Sequence, residues 1–407
     1  MKYEPLKKLY YTDPQKWKEE YDLRFNSNSA KHLNIEIREV NRRTSYPAFF
    51  CYNEEITLLL NQILKESITM YKCIDLVPKV AITQFINSSL INEVKFTNDI
   101  EGVSSTRKEI KDALNQEDPK KYVRLWGIVD KYKKIIEQKN IKLDTPEDIR
   151  NLYDNFVLKE VVRANKSNAP DGIIFRKTPV EVITKTDKVL HTGLYPENKI
   201  IEAMNAALEI LYNQDVPKLI RIAIFHYLFG YIHPFYDGNG RMSRFITSYF
   251  LAKEIHPILG LHLSYLIKKY RNEYYSLFED TNNEFNKGDL TPFIISSLEL
   301  ILRTTRNISS NLLKKHKRFN YYYKYLDRLS QKEKNIKYIY HILLQASVFS
   351  DFGASIEEIA LPLGKSTKTI ATKIKQIPAE EITINKKTRP FHYKLNLSHM
   401  NYLINKS

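Results

Sequence analysis

The chain has 407 residues, enough for two or three domains that each bury a hydrophobic core. With 43% hydrophobic and 12% aromatic residues, its composition excludes a largely disordered protein. The presence of only Cys51 and Cys73 excludes a disulfide framework and a zinc site built from cysteines. The charged N-terminus and the lack of any run of about 18 apolar residues argue against secretion and membrane insertion, so a cytoplasmic location is expected.

The positive charge is concentrated in the last quarter of the chain. The formal net charge is +16 at pH 7, and residues 301–407 carry 20 Lys and Arg against 7 Asp and Glu, which accounts for +13 of it. This asymmetry indicates an appended basic module whose partner is nucleic acid, with a merely solvated basic surface as the alternative.

In chain order, an irregular N-terminal strip comes first and helical patterns follow it. Residues 54–71 and 88–102 have apolar side chains at three- and four-residue spacing, which predicts two helices. Gly102 interrupts the second pattern, and "SSTRKEIKDALN" after it combines an N-cap with helix-forming residues. We therefore expect an N-terminal helical region over residues 1–115.

A second domain is expected over residues 116–310, mainly helical but interrupted by a β-hairpin. Residues 172–196 are β-branched and aromatic, which predicts two strands joined by a polar turn at 184–188. Residues 216–231 are apolar on nearly every face, as in a helix buried inside a domain. A second strongly apolar helix begins near Arg241, so the residues between these helices form a loop.

The segment "HPFYDGNGRMSR", residues 233–244, has the composition of an anion-binding loop. Its Gly-Asn-Gly turn can adopt backbone conformations that direct several N–H groups to one point. The helix that follows directs its free N–H groups and its positive dipole end to the same place. Arg241 and Arg244 lie one turn apart on that helix and offer two guanidinium forks for phosphate oxygens.

Two further residues of this loop suggest chemistry at the bound anion. Asp237 supplies the hard oxygen ligand that Mg²⁺ needs beside phosphates. His233 follows the buried helix, and a neutral imidazole there can take a proton from an attacking hydroxyl. Together these groups predict phosphoryl or nucleotidyl transfer. Taken singly, each has an ordinary explanation: a capping histidine, a simple turn, a loop-stabilising aspartate or surface arginines.

The same segment matches the signature HxFx(D/E)GNGRxxR at every specified position, so the chain resembles the Fic family. The resemblance implies a helical domain that transfers AMP from ATP to a Ser, Thr or Tyr hydroxyl of a target protein and releases pyrophosphate. His233 then corresponds to the general base, Asp237 to the Mg²⁺ ligand and Phe235 to the residue that anchors the loop in the core. The residues that correspond to the phosphate-binding set are Gly238, Asn239, Gly240, Arg241 and Arg244.

Two other segments extend the resemblance to most of residues 50–300. The hairpin lies where Fic proteins have a flap that clamps a target segment by strand addition, with a purely structural hairpin as the alternative. The segment "RNEYYSLFEDTNNEFNKGDLTPF" is similar to the one that closes the adenine pocket. By position, Tyr275 corresponds to the residue that stacks on the base and Asn282 to the one that hydrogen-bonds its edge. Core packing is the alternative for Tyr274.

The segment "TNDIEG", Thr97 to Gly102, is similar to the inhibitory motif (S/T)xxxE(G/N) found in Fic proteins. The resemblance implies that Glu101 pairs with Arg244 and competes there with the γ-phosphate of ATP, so that the activity is autoinhibited. A helix C-terminus that simply ends at Gly102 is the alternative.

From Asn335 onward the predicted order is a helix, a helix-turn-helix and a two-stranded wing, which resembles the winged helix-turn-helix domains of many bacterial Fic proteins. This is the third expected domain, 311–407. Its recognition helix is predicted to bury Ile370, Ile374 and Ile377. The side chains predicted to face DNA are Lys365, Ser366, Thr367, Lys368, Thr369 and Lys373. The wing is predicted to carry Lys386, Lys387 and Arg389. A protein-interaction or dimerisation module is the alternative.

The predicted fold is thus mainly α, with a helical Fic core, a β-hairpin flap and a C-terminal winged helix-turn-helix domain. The expected function is that of an autoinhibited, Mg²⁺-dependent protein adenylyltransferase acting on target proteins and on itself, with DNA as a partner of its basic domain. Removal of AMP, or transfer of another nucleotide, is a second hypothesis. A nucleotide-sensing, DNA-binding regulator is a third. No membrane partner is expected, and a homodimer is one candidate for the oligomeric state.

Overall fold

The computed structural model describes residues 3–116, 123–183, 189–328, 334–386 and 390–406. This part of the chain is mainly helical, as predicted, and its strands form three separate two-stranded antiparallel sheets. The helices are α1 (Leu6–Thr12), α2 (Pro14–Phe25), α3 (Glu54–Asp75), α4 (Lys79–Ile100), α5 (Arg107–Leu114), α6 (Trp126–Ile136), α7 (Pro146–Phe156), α8 (Leu158–Ala164), α9 (Glu197–Tyr212), α10 (Lys218–Ile232), α11 (Asn239–Glu254), α12 (Pro257–Gly260), α13 (Leu263–Lys269), α14 (Arg271–Asn282), α15 (Thr291–Arg328), α16 (Lys334–Phe349), α17 (Ile356–Leu363), α18 (Thr367–Ile374) and α19 (Leu397–Lys406). The strands are β1 (Ala30–Ile37), β2 (Tyr46–Cys51), β3 (Glu181–Ile183), β4 (Val189–Thr192), β5 (Ile382–Asn385) and β6 (His392–Leu395).

The chain divides into two compact units. The first takes in the residues up to Glu66 together with Glu93–Thr305, and the second takes in Ser67–Asn92 together with the residues from Arg306 onward. The boundaries fall inside α3, α4 and α15. The division into three domains near residues 115 and 310 stays a prediction.

The first 50 residues form regular elements, so the expectation of an irregular strip was wrong. Asp13 caps α2 by accepting a hydrogen bond from the backbone N–H of Lys16 at 3.1 Å. Trp17 is held by a partner far along the chain, since its indole N–H donates to the carbonyl of Phe285 at 2.7 Å. β1 then pairs with β2, with Ala30 opposite Cys51. Hydrophobic periodicity misses such short elements because caps and distant partners stabilise them.

The functional loop is held at both ends by core helices. Nearly every side chain of α10 and α11 is buried, as the apolar pattern predicts. α10 stops at Ile232 because His233 adopts the left-handed conformation, with φ of 52°. α11 starts at Asn239 after Gly238, whose φ is 86°. Burial of each large apolar side chain contributes about 1.5–3 kcal/mol, so the loop ends cannot move without disturbing the core.

The predicted hairpin is present as β3 and β4. Glu181 lies opposite Thr192 and Val182 opposite His191, and the register shifts at the next pair. The turn predicted at 184–188 lies outside the described residues.

In the second unit, α16, α17, α18, β5 and β6 follow one another in the order that the sequence predicts. A capping box of Ser355 and Glu358 starts α17, and Gly364 ends it with φ of 58°. The three isoleucines Ile370, Ile374 and Ile377 are buried, as predicted. The predicted outward residues that are exposed are Lys365, Ser366, Thr367, Lys368, Thr369 and Lys386. Lys373 is half-buried instead, and Lys387 and Arg389 lie outside the described residues.

Candidate active site

The loop is pinned to the core through Phe235. This side chain is fully buried, with its ring stacked on that of Tyr153 at a centroid distance of 3.7 Å. Asn239 closes the loop around it: its Oδ1 accepts from the Phe235 backbone N–H at 2.9 Å, and its Nδ2 donates to the Phe235 carbonyl at 2.7 Å. The Asn239 side chain is therefore committed to holding the loop, and its main chain is what faces a ligand.

Both glycines of the turn occupy positions where a side chain would collide with a neighbour. Gly238 is in the left-handed region, and a Cβ there would lie 3.0 Å from Cγ2 of Val157. A Cβ at Gly240 would overlap Oε1 of Glu101. The turn therefore admits a close approach of other groups to its backbone, as an anion site requires.

His233 is a partly exposed imidazole with a defined tautomer. Its Nδ1 lies 3.3 Å from the carbonyl oxygen of Gly230. Because a carbonyl only accepts, Nδ1 carries the proton and Nε2 keeps a free lone pair. Burial, followed by the neighbouring His191 and Arg176, lowers the pKa of His233 to about 4. The ring is neutral at pH 7 and can act as a proton acceptor.

Asp237 and Arg241 lie side by side at the N-terminus of α11. Oδ1 of Asp237 accepts from the backbone N–H of Gly238 and lies 3.5 Å from Nη2 of Arg241. The Asp237 side chain is 41% exposed, whereas Arg241 is 2% exposed and its Nε has no hydrogen-bond partner. A buried guanidinium with a spare donor suits an anion.

The described residues hold no cluster of three or more His, Cys, Asp or Glu side chains that could bind a metal ion. At this loop the exposed carboxylate of Asp237 is a candidate ligand for a cation, whose remaining ligands would be water and phosphate oxygens. That donor set suits Mg²⁺, which usually binds one or two carboxylates together with substrate phosphates.

Arg244 is held through two of its three guanidinium nitrogens by the C-terminal end of α4. Its Nη2 lies 2.8 Å from Oε1 of Glu101 and 3.0 Å from the carbonyl of Thr97, and its Nε donates to Oγ1 of Thr97 at 2.9 Å. Burial raises the pKa of Glu101, but the charge and hydrogen bond of Arg244 outweigh it and hold this pKa below its usual range. Gly102 ends the helix with φ of 72°, so the segment is both a helix C-terminus and a source of acceptors for Arg244.

Tyr275 lies near this ion pair and Asn282 does not contact it. Burial raises the pKa of the Tyr275 hydroxyl, the charge of Glu101 adds to the rise and that of Arg244 opposes it. Asn282 is 6% exposed, and its Oδ1 accepts from the hydroxyl of Tyr227 at 2.7 Å. The hydroxyl of the half-buried Tyr274 lies 2.8 Å from Nε2 of the buried His226. The adenine roles of Tyr275 and Asn282 stay predictions.

Sequence reasoning missed two residues that touch this site. Arg176, which precedes the hairpin, and His191, which lies in β4, bind the main chain at the end of α10. Their partners are backbone carbonyls, which leave no trace in a residue pattern.

The central part of the chain is similar to a known family. Residues 143–251 match the model of the Fic/DOC family. This stretch, called the Fic region below, starts just before α7 and contains the hairpin, α10 and the whole loop from His233 to Arg244.

The Fic region has curated relatives of moderate identity. A stretch of 108 residues is 32% identical to the protein adenylyltransferase Fic of Nematostella vectensis, and 72 residues are 36% identical to that of Drosophila yakuba. These matches cover 26% and 18% of this chain and 23% and 13% of the two relatives. The chain thus matches about a quarter or less of the length of these curated proteins.

Solved structures of Fic proteins are also similar. A Fic family protein from Desulfovibrio desulfuricans G20 aligns with a TM-score of 0.48 and 18% identity over 85% of this chain and 97% of its own. A fragment of Fic-1 from C. elegans aligns with a TM-score of 0.44 and 19% identity over 64% of this chain and 73% of its own. Among the described helices, none has the length and apolar character needed to cross a membrane.

Proposed function

We propose that the protein is an autoinhibited protein adenylyltransferase, which transfers AMP from ATP to a Ser, Thr or Tyr hydroxyl of target proteins and of itself. The observation that carries this proposal is the grouping of charged side chains at the loop: Glu101 interacts electrostatically with Arg244, Arg241 and His233, and Arg241 lies 3.5 Å from Asp237. The identity of the Fic region to curated Fic adenylyltransferases supports the type of reaction.

In the proposed reaction, His233 accepts the proton of the target hydroxyl at Nε2, the atom left free by the Nδ1 bond to Gly230. The hydroxyl oxygen bonds to the α-phosphorus of ATP, the bond to the bridging oxygen breaks, and pyrophosphate leaves. Arg241 and the N–H groups of the turn bind the phosphates. When bound, Mg²⁺ neutralises phosphate charge, and Asp237 is the residue that would hold it.

The contacts of Arg244 support autoinhibition. A guanidinium that already donates to Glu101 and Thr97 has few donors left for a phosphate. Glu101 therefore competes with ATP for one cation, and no large movement of the chain is needed to relieve the competition.

The test is incorporation of α-labelled ATP into protein, with Mg²⁺, by the wild type, by Glu101→Gly and by Glu101→Gly combined with His233→Ala. We expect strong labelling only in the Glu101→Gly protein. Glu137→Gly is the matched control, since Glu137 also follows a helix end but pairs with the exposed Lys139 at 2.8 Å. Labelling that survives in folded His233→Ala protein would exclude His233 as the base. Release of free AMP from an AMP-modified protein would instead favour the removal reaction.

As a second function, we propose that the C-terminal module binds DNA. The exposed polar start of α18 supports this, because a helix that presents lysines and short hydroxyls at its N-terminus suits phosphate and major-groove contacts. Its test is a salt titration of DNA binding, described below. A regulator that only senses nucleotide would bind DNA and show no labelling in any of the three proteins.

A further inference from the structure

Arg176 is a fully buried arginine whose guanidinium donates to main-chain carbonyls. Its Nε donates to the carbonyl of His233 at 3.0 Å, its Nη2 to that of Leu194 at 2.9 Å and its Nη1 to that of Thr178 at 2.5 Å. Thr178 precedes β3 and Leu194 follows β4. One side chain therefore joins both ends of the hairpin to His233.

The guanidinium of Arg176 is buried away from water, which disfavours its charged form. Burial lowers the pKa of Arg176 to about 10, and the nearby Tyr236 and Asp171 offset this effect only in part. A buried guanidinium is tolerated when its donors find acceptors. The three carbonyls are those acceptors, and they belong to the segments that the guanidinium joins.

The hairpin segment also binds the two carbonyls that precede His233. Nε2 of His191 donates to the carbonyl of Tyr231 at 2.5 Å, and the backbone N–H of Leu194 donates to that of Ile232 at 3.1 Å. Three consecutive carbonyls at the end of α10 are thus all held from the hairpin side. Since His233 has a positive φ, which a residue with a side chain rarely adopts, these bonds are what maintains it there.

The contact between the two segments is too close for a side chain at Gly193. A Cβ there would collide with Nη2 of Arg176 and would lie 2.8 Å from Cβ of His233. The hairpin end, Arg176 and His233 therefore form one packed group.

We propose that Arg176 is a positioning residue for His233: it holds the main chain of this residue in the left-handed conformation and makes the orientation of the imidazole depend on the place of the hairpin. This inference rests on the proposed function, in which His233 is the general base. It adds a coupling between the hairpin, where a target segment would pair, and the group that accepts the target's proton.

The experiment compares Arg176→Met and Arg176→Lys, both in the full chain with Glu101→Gly. Arg221→Met is the matched control, because Arg221 is also buried and also donates to a carbonyl, that of Leu211 at 3.2 Å, more than three turns before His233 on α10. Three quantities are measured for each protein: kcat in labelling, KM for ATP, and the pKa of His233 by NMR. The ring signal of His233 is assigned by comparison with the His233→Ala spectrum.

We expect Arg176→Met to lower kcat by about 10- to 100-fold and to leave KM for ATP within about twofold, because the phosphate contacts are elsewhere. The pKa of His233 should rise, since the charge of Arg176 is one of its lowering causes. Arg176→Lys keeps the positive charge but cannot donate to the three carbonyls at once. In this variant the pKa of His233 should therefore stay near its value in the parent, while kcat falls. Arg221→Met should change none of the three quantities.

Circular dichroism first shows whether each variant is folded. The proposal is overturned if folded Arg176→Lys and Arg176→Met proteins have the same kcat and the same His233 titration as Arg221→Met. It is also overturned if KM for ATP rises as much as kcat falls. A Glu101→Gly parent that does not label at all contradicts the proposed function instead. The NMR titration and the chemical shift of His233 then still decide whether Arg176 positions the ring.

Discussion

Glu101 and Arg244 form an ion pair of 2.8 Å in which the arginine is almost entirely buried and the glutamate sits at the end of α4. Thr97, one turn earlier on the same face, supplies two more acceptors to the same guanidinium. Inhibition should therefore be graded according to how many of these acceptors remain.

We expect Glu101→Gly to raise labelling by roughly 10- to 150-fold, the equivalent of about 1.5–3 kcal/mol for a hydrogen bond to a charged group. Thr97→Val removes only the hydroxyl acceptor and should raise labelling by roughly 2- to 10-fold. Thr97→Ser keeps the hydroxyl and should behave as the wild type. Equal labelling by Thr97→Val and Thr97→Ser would show that this hydroxyl has no part in inhibition.

The pH dependence of labelling should report the lowered pKa of His233. This pKa is about 4, so the base is in its neutral, active form throughout the range above it. Initial rates of the Glu101→Gly protein should stay flat from pH 8 to about 5.5 and decline only toward pH 4.5. A half-maximal rate near pH 6.5, the ordinary value for histidine, would contradict the buried environment of this ring.

Stability should fall as the pH drops from about 6.5 to 4.5. Burial lowers the pKa of His191, His233 and His262 to about 4 and that of His226 to about 3. As the pH falls, these histidines therefore bind protons in the unfolded state at pH values where they remain neutral in the folded state. Glu93 acts in the opposite direction, since burial raises its pKa to about 7 and the folded state binds its proton first. The net loss between about pH 6.5 and 4.5 should be on the order of several kcal/mol.

Urea midpoints measured at half-unit steps of pH test this. His262→Gln should make the dependence shallower, because it removes one of the four imidazoles whose pKa burial lowers. A midpoint that does not vary over this range would contradict the buried, neutral state of the four imidazoles.

Tyr275 and Asn282 should differ in what their substitution affects. Loss of a stacking ring costs about 1–3 kcal/mol per base, so Tyr275→Ala should weaken ATP binding by roughly 5- to 150-fold. Asn282→Ala leaves the hydroxyl of the buried Tyr227 without its partner and should instead lower stability by about 1–3 kcal/mol. Calorimetric ATP titrations and thermal unfolding of both variants separate these effects. Equal losses of ATP affinity at unchanged stability would favour the predicted adenine contact of Asn282.

Binding to DNA should lose part of its salt dependence when the start of α18 is neutralised. Each phosphate contact contributes about 0.9 to the slope of log K against log salt, so replacing Lys365 and Lys368 by Ala should reduce this slope by about 2. The matched control replaces the exposed Lys314 and Lys317 of α15, which makes the same change of charge in the same unit. Anisotropy of a mixed-sequence duplex from 50 to 200 mM salt is the measurement. If both pairs of substitutions reduce the slope equally, the binding depends on the overall charge of the unit and not on the start of α18.

The loop was predictable because its residues are contiguous and their geometry is local. Gly238 must adopt a positive φ, and Arg241 and Arg244 are one turn apart on any helix that starts there. The pairing of Glu101 with Arg244 joins distant residues, and only the family resemblance indicated it. By contrast, Arg176 escaped prediction because it binds backbone carbonyls, which every residue has. The first 50 residues escaped because α2 depends on a cap at Asp13 and on a partner near Phe285.

Gly240 has no side chain, and the carboxylate of Glu101 occupies the space that one would fill. In the proposed reaction a phosphate of ATP approaches the same backbone. Two anions cannot share that volume, so inhibition is a question of which anion occupies it and not of which shape the protein adopts. Raising the ATP concentration should then restore part of the activity of the wild type. The activity of the protein would then depend on the ATP concentration, and the strength of the ion pair between Glu101 and Arg244 would set the concentration at which activity begins.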